Sequence, residues 1–274
     1  IPSTTDKIRI ENLRIPPNWK NVRINKESTG KVQVIGYDSK DREQRIYHKE
    51  WIEESNINKF KHIKSLNYKY KNFDKTLEKF MRRNDCSYEY VVAHVIKLLI
   101  VLNIRIGNEI YFEENGTCGL TTMRRENVKI IDCQYFLNFI GKRNIEHSKY
   151  IHSVRARHFL DKMIKHKNDK LFCYKKEAEF VPITSCDINN FIKEHLGDSF
   201  TSKDLRTYSA NKIFKQKLKS FGCPRTEKDR IKYLRESIKY TSVELGNTVK
   251  VCKDSYIDPD IVQHYNKKFS FCDA

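Results

Sequence analysis

The chain has 274 residues, of which 39% are hydrophobic and 12% aromatic, with six prolines and nine glycines. This composition excludes a low-complexity or disordered chain and allows a packed core. A formal net charge of +18, from 53 basic and 35 acidic residues, favours a polyanionic partner such as the phosphates of nucleic acid. No stretch approaches the roughly 18 to 20 unbroken apolar residues of a membrane span, so we expect no membrane partner.

The cysteines indicate neither a disulfide framework nor a metal site. Eight are scattered along the chain, with no C-x-x-C pair and no histidines at zinc-finger spacing. Reduced thiols in an intracellular protein are the favoured interpretation.

The first 56 residues predict a small β-rich domain. Ile15-Pro16-Pro17 interrupts the chain, and apolar and polar residues then alternate between Val22 and Trp51. The turn candidates are Ser28-Thr29-Gly30 and Asp38-Ser39-Lys40-Asp41. This pattern predicts a small, twisted antiparallel sheet in which alternation places Arg45 and Tyr47 on one face.

From about Asn56 the pattern changes to helical periodicity, which predicts a second, larger domain over residues 57–274. Phe73, Leu77, Phe80 and Met81 share one helical face. A second and more buried helix is predicted from Tyr90 to Asn103. The domain boundary is therefore expected between residues 53 and 60.

The larger domain is predicted to be mostly helical with one β insertion. Strands are expected at 128–131 and 134–140, followed by a turn at Gly141-Lys142-Arg143-Asn144 and a third strand over 147–153. Further helices are predicted over 155–167, 187–196 (capped by Ser185 or Asp187), 201–221, 227–240 and 249–257. The predicted fold class is α+β.

Several side chains have the chemistry needed to transfer a phosphodiester to a tyrosine. Attack by a tyrosine oxygen such as that of Tyr256 requires fixed cations at the phosphate, and arginines are best suited to this. Arg105 and Arg206 lie beside apolar helical residues, and a lysine such as Lys142 can protonate the leaving oxygen. From the residues alone a structural role is equally open: either arginine can bond carbonyl or carboxylate groups, and Lys142 can be a solvated turn residue.

Four separated motifs resemble those of the type IB DNA topoisomerases of bacteria and large viruses. They are RIGNEIYFEENGTCGLTTMRRENV at 105–128, then FIGKRN, KDLRTY and LGNT…VCKDSYIDP, in the order found in that family. RIPPNWKNVRI and GYDSKDREQRIYH, nearer the N-terminus, resemble the family's small β domain. The resemblance covers nearly the whole chain and implies that family's catalytic fold, which it shares with the tyrosine recombinases.

The resemblance implies a role for five residues. Tyr256 becomes the nucleophile joined to a 3′ phosphate, Arg105 and Arg206 bind the scissile phosphate, and Lys142 protonates the leaving 5′ oxygen. Asn247 occupies a position that histidine fills in the poxvirus enzymes. The reaction implied is relaxation of positive and negative supercoils without metal, ATP or other cofactor.

The implied partner is double-stranded DNA, bound by a monomer that clamps the duplex. Arg45, Tyr47 and His48 are candidates for the major groove, although an ordinary exposed strand explains them equally. Further candidates for phosphate or base contacts are Asn108, Tyr111, Thr121, Thr122, Arg124 and Lys203. For the Gly119-Leu120-Thr121-Thr122 segment the alternative is that it only shapes a turn.

Two rival functions stay open on the sequence. A tyrosine recombinase uses the same nucleophile and arginines but usually carries a His-x-x-Arg box, and Lys203 stands at its first position here. The other rival is a DNA-binding protein without catalysis. The expected location is intracellular, either a virion or viral replication factory or a bacterial cytoplasm.

Overall fold

A computed structural model describes residues 3–269 of the chain. The chain divides into two compact units between His62 and Ile63. This division lies within one helix, α2 (Lys49–Met81), so the boundary predicted near residue 56 falls in a continuous helix rather than in a linker. The helix also begins earlier than the predicted change of pattern. No helix within residues 3–269 combines the length and apolarity needed to cross a membrane.

The first unit contains the predicted antiparallel sheet, in the order β1 (Lys20–Ile24), β2 (Val32–Tyr37) and β3 (Glu43–Tyr47). A helix that the sequence patterns did not predict, α1 (Thr4–Asn12), precedes the sheet. Its N-terminus is closed by a reciprocal capping box between Ser3 and Asp6.

A buried glutamine joins α1 to the sheet. Gln33 on β2 is 3% exposed and accepts a 2.9 Å hydrogen bond from Arg9 Nη1 on α1. Its amide nitrogen donates to the carbonyl of Gly30 at 2.6 Å. Because both ends of the amide are satisfied, its burial carries no unpaired polar group.

The second unit is built around α3 (Tyr88–Leu102), which buries all but a few of its side chains. Ser87 caps its N-terminus, and Asn103 ends it in the left-handed conformation at φ 55°. Against it pack α5 (Val154–Met163), α6 (Ser185–Leu196) and α7 (Ser202–Ser220). The cap of α6 is Thr184, so the predicted cap at Ser185 or Asp187 was wrong by a few residues.

The β insertion forms an antiparallel sheet in the order β4 (Val128–Ile131), β5 (Gln134–Gly141) and β6 (Ile145–Tyr150). The third strand therefore begins and ends earlier than the predicted 147–153. The short helix α4 (Glu109–Asn115) and the hairpin of β7 (Cys173–Lys176) with β8 (Glu179–Pro182) were also not predicted. The hairpin strands, CYKK and EFVP, do not alternate apolar and polar residues, so periodicity did not identify them.

A second apolar cluster joins α7 to α8 (Glu227–Leu245), α9 (Val249–Ser255) and α10 (Pro259–Lys268). α8 runs five residues beyond its predicted end at 240, up to Gly246 in the left-handed conformation. α9 ends at Ser255, before the predicted 257, and Pro259 begins α10, because proline is well suited to a first helical position. The predicted fold class, a small β domain before a larger helical domain with a β insertion, is confirmed.

The seven cysteines within residues 3–269 are free thiols, and Cys272 lies outside the described residues.

Candidate active site

Arg105 lies on an extended segment that follows the left-handed end of α3. Its backbone is fixed, because the carbonyl of Arg105 accepts a 2.9 Å hydrogen bond from the amide of Leu120. The side chain is half-buried and lines a narrow cleft with Lys142 and Arg206.

The Gly119-Leu120-Thr121-Thr122 segment supports that backbone from inside the fold. A Cβ atom on Gly119 would lie 2.5 Å from Gly107 Cα, so the close approach of the two chains requires glycine. Thr121 and Thr122 are buried, and their hydroxyls donate to the carbonyls of Ile106 and Gly119 at 3.0 and 3.2 Å. Both hydroxyls thus bond to nearby backbone carbonyls, as the turn-shaping alternative requires, and DNA contacts by Thr121 and Thr122 stay predictions.

Arg206 is a buried cation held by two carbonyl groups. Arg206 is only 4% exposed and lies one turn into α7. Its Nη1 donates to the carbonyl of Asn103, and its Nη2 donates to the carbonyl of Leu245 at 2.5 Å. Burial, and then the charge of Arg105, lower the pKa of Arg206 to about 10, so the guanidinium remains charged at pH 7. Its Nε is buried without a hydrogen-bond partner among the described residues.

Tyr256 ends α9 and lies against this guanidinium, with Arg206 Cζ 5.8 Å from the centre of the phenol ring. The backbone around it is held by a single side chain on α7. Asn211 donates to the carbonyl of Tyr256 and accepts from the amide of Asp258, both at 2.8 Å. The tyrosine is therefore fixed by the same helix that carries Arg206.

The surroundings of Tyr256 favour its ionised form. Burial acts to raise the pKa of the phenol, but the opposing effects of its neighbours together lower it below its ordinary value. These effects are the charge of Arg206 and a hydrogen bond from it, the charge of Arg105, and a hydrogen bond from Asn247. A lower pKa makes the phenolate, which is the nucleophilic form of this side chain, easier to form.

Asn247 lies in the turn between α8 and α9 and contacts Arg105. Its Oδ1 accepts a 2.6 Å hydrogen bond from Arg105 Nη2. Its Nδ2 is buried and has no partner of good hydrogen-bond geometry among the described residues. The amide therefore has a donor to spare beside Tyr256.

Lys142 lies in the tight turn between β5 and β6, where Arg143 and Asn144 adopt φ values of 66° and 55°. Its side chain is exposed at the mouth of the cleft that Arg105 and Arg206 line. The structure therefore brings together all five residues to which the resemblance gives a catalytic role.

The remaining candidates of the larger unit are exposed and lie outside this cleft. Asn108 caps α4 by accepting a 3.1 Å bond from the amide of Tyr111. Arg124 lies over the ring of Phe112 at 5.4 Å, and Lys203 is on the first turn of α7. All four stay predictions as DNA contacts.

In the first unit, Arg45 and Tyr47 share one face of β3, as alternation requires. Arg45 is paired with Glu43 at 2.7 Å, and Tyr47 stacks on Trp51 at 4.5 Å. His48 follows the strand and lies 3.9 Å from Glu50. DNA contacts by these residues also stay predictions.

The motifs did not reveal two polar residues that organise the site, Asn103 and Asn211. A signal was present for each. Asn103 follows a long apolar run, as a left-handed helix cap does. Asn211 interrupts the apolar interior of a helix, where a polar side chain needs partners.

Replacement of Asn211 by alanine is expected to slow DNA cleavage about 10- to 100-fold, because the backbone of Tyr256 loses its two-sided support. The unfolding free energy should fall by about 1–3 kcal/mol, since a buried carbonyl and a buried amide lose their partner. Single-turnover cleavage and denaturant unfolding measure the two effects, with the exposed Asn190→Ala as the control. Unchanged cleavage would show that Asn211 does not position Tyr256.

Comparison with known proteins defines the class. The family model for the catalytic core of eukaryotic DNA topoisomerase I matches residues 48–272, and that for the N-terminal domain of bacterial DNA topoisomerase IB matches residues 1–38. A DNA topoisomerase 1B of Acanthamoeba polyphaga mimivirus is 33% identical over 93% of this chain and 78% of its own length. The DNA topoisomerase 1B of vaccinia virus (strain Copenhagen) is 24% identical over 94% of this chain and 82% of its own length.

Among solved structures, a XerH site-specific recombinase bound to its palindromic difH substrate has a TM-score of 0.44 and 13% identity, over 69% of this chain and 49% of its own. The family models and the viral relatives are decisive. The chain belongs to the type IB DNA topoisomerases, enzymes whose substrate is DNA.

Proposed function

We propose that this enzyme relaxes positive and negative DNA supercoils through a transient 3′-phosphotyrosyl bond at Tyr256. The observation that carries the proposal is the convergence of Arg105, Arg206 and Asn247 on one tyrosine. Two guanidinium groups and a spare amide donor match the charge that develops on a phosphate under attack.

In the cleavage step, the oxygen of Tyr256 attacks the scissile phosphorus and forms a phosphotyrosine ester. Arg105, Arg206 and the Nδ2 group of Asn247 stabilise the nonbridging oxygens as they gain charge. The bond from phosphorus to the 5′ oxygen breaks, and Lys142 donates the proton that makes this oxygen a hydroxyl. The proton of Tyr256 passes to solvent, aided by the lowered pKa of the phenol.

Religation is the reverse reaction. While the strand is open, the downstream duplex rotates and loses supercoils. The 5′ hydroxyl then attacks the phosphotyrosine, Lys142 takes up its proton, and Tyr256 is released. One phosphodiester is exchanged for another of similar energy, so the cycle needs no ATP.

The DNA-binding residues extend over both units in this proposal. Arg45, Tyr47 and His48 of the first unit contact the major groove, while Asn108, Tyr111, Arg124 and Lys203 contact the duplex near the cleft. The enzyme works as a monomer, because one tyrosine and its neighbours complete the site. The relatives from mimivirus and vaccinia virus make a virion or viral replication factory the location we propose.

The test is relaxation of plasmids carrying negative or positive supercoils, in EDTA and without ATP. We expect stepwise relaxation of both, with the linking number changing one turn at a time. A product recombined between two duplexes, without relaxation, would instead identify a recombinase. Binding without any change of topology would indicate a DNA-binding protein.

Substitution of Asn247 by histidine should introduce a new dependence of the cleavage rate on pH. An asparagine amide does not titrate, whereas a histidine has an ordinary pKa of about 6.5. Single-turnover rates between pH 5.5 and 8.5 should show an inflection for Asn247→His that the wild type lacks. Asn247→Ala should cleave about tenfold more slowly at all these pH values, since one neutral donor is lost. Identical pH profiles for wild type and Asn247→His would refute contact of this position with the phosphate.

A further inference from the structure

His147 lies at the centre of the active-site cleft, although no motif singled it out. It is on β6, directly opposite Phe139 of β5 in the strand register. The two rings stack with centroids 4.8 Å apart and planes inclined by 17°. The imidazole is half-buried and lines the same cleft as Arg105, Lys142 and Arg206.

Two glycine backbones enclose this ring. A Cβ atom on Gly141 would lie 2.7 Å from His147 Nε2, and one on Gly246 would lie 2.8 Å from the same nitrogen. Neither distance is possible for a real side chain, so each backbone touches the imidazole directly. Gly141 immediately precedes Lys142, and Gly246 immediately precedes Asn247.

A second contact from the same strand ties β6 to the end of α8. Lys149, two residues beyond His147 and therefore on the same face, donates to the carbonyl of Glu244 at 2.8 Å. It also lies 3.4 Å from the Glu244 carboxylate. This contact holds the strand against the helix end, and the imidazole lies between the turn that precedes β6 and the turn that follows α8.

The charges that act on the pKa of His147 are positive, and the ring itself is neutral. Burial foremost, and then the charges of Lys149, Arg105 and Arg206, lower the pKa of His147 to about 4. At neutral pH the imidazole adds no charge to a site that must attract phosphate. Its shape, rather than proton transfer, is what it contributes.

We propose that His147 is a positioning residue whose ring fixes the distance between the Lys142 turn and the Gly246–Asn247 turn. The proposal rests on the role of Lys142 as the acid, given under Proposed function. Without the ring, the hairpin loses its contact with the α8–α9 turn, and the lysine is no longer held near the leaving oxygen.

The test compares two DNA substrates that differ only in the leaving atom at the scissile phosphate, 5′ oxygen or 5′ sulfur. A thiol such as that of cysteine ionises at about pH 8.5. A sulfur atom therefore leaves readily as a thiolate and needs no acid. His147→Ala should cleave the oxygen substrate about 10- to 100-fold more slowly than wild type, because the acid is misplaced. On the sulfur substrate its rate should approach that of the wild type. DNA affinity should change little, and the exposed His158→Ala serves as the matched control.

Three results have distinct meanings. Equal slowing of His147→Ala on both substrates, or no slowing on either, would overturn the positioning of Lys142 by this ring. Lys142→Ala is the reference, and it too should recover on the sulfur substrate. If Lys142→Ala stays slow there, the role proposed for Lys142 fails, whatever His147 does.

A double-substitution cycle repeats the test with Gly141→Ala, a variant that adds a methyl group and so leaves no cavity. Gly141→Ala keeps an ordinary backbone conformation, at φ −91°, but forces the ring away, so it should slow the oxygen substrate selectively. Gly141→Ala combined with His147→Ala should be no slower than His147→Ala alone, because there is then no ring to displace. Additive slowing would overturn the proposal, and thermal unfolding confirms that each variant is folded.

Discussion

Tyr256→Phe is expected to abolish DNA cleavage and supercoil relaxation completely while leaving DNA affinity nearly unchanged. Phenylalanine preserves the ring packing against Arg206 but removes the only oxygen that can form the phosphotyrosine bond. The lowered pKa of Tyr256 makes its phenolate easier to form than that of an ordinary surface tyrosine.

The measurement is formation of a covalent protein–DNA adduct on a labelled oligonucleotide, together with plasmid relaxation. Tyr68→Phe is the matched control, since Tyr68 is 87% exposed and removal of its hydroxyl should alter neither reaction. Adduct formation by Tyr256→Phe at any appreciable rate would assign the nucleophile to another residue.

Arg206→Ala is expected to reduce the cleavage rate by about 10³-fold, because the scissile phosphate loses a fixed cation in a buried setting. The loss should extend to stability, since the carbonyls of Asn103 and Leu245 lose the guanidinium that binds them. Each unsatisfied carbonyl costs about 1–3 kcal/mol. Cleavage rate and unfolding free energy should therefore fall together in this variant.

Arg206→Lys separates charge from geometry. A lysine restores a positive charge but cannot bond both carbonyls and still face the phosphate, so recovery should be less than about tenfold. The exposed Arg225→Ala is the control for a general loss of positive charge. Near-normal cleavage by Arg206→Lys would show that charge alone suffices and that the carbonyl contacts are incidental.

The candidate catalytic residues could be predicted because four separated motifs resemble those of the type IB DNA topoisomerases, whereas from the residues alone a structural role was equally open. Arg105, Lys142, Arg206 and Tyr256 were named from separated segments, and the structure gathers them at one cleft. Periodicity also identified α3 and α7, since both bury apolar faces over many residues.

Other features depend on contacts that no local pattern encodes. The bond from Arg206 to Asn103 spans 103 residues, and the bond to Leu245 spans 39. The packing of His147 on Gly246 also joins segments that are distant in the sequence. The helix α1 has little apolar surface and is held by a capping box and Arg9, so periodicity was a weak guide to it. For Thr121 and Thr122 the sequence left DNA contact and turn shaping both open, and only the structure shows that their hydroxyls bond to the carbonyls of Ile106 and Gly119.

The most direct test of the account is to identify the atoms joined when cleavage is trapped by denaturation. A duplex labelled on the 5′ side of the nick, digested with nuclease and protease, allows the adduct to be sequenced by mass spectrometry. The account predicts a nucleotide 3′ phosphate on the peptide that contains Tyr256, and a free 5′ hydroxyl on the other strand end. A 5′ linkage, or a phosphate on any other residue, would contradict it.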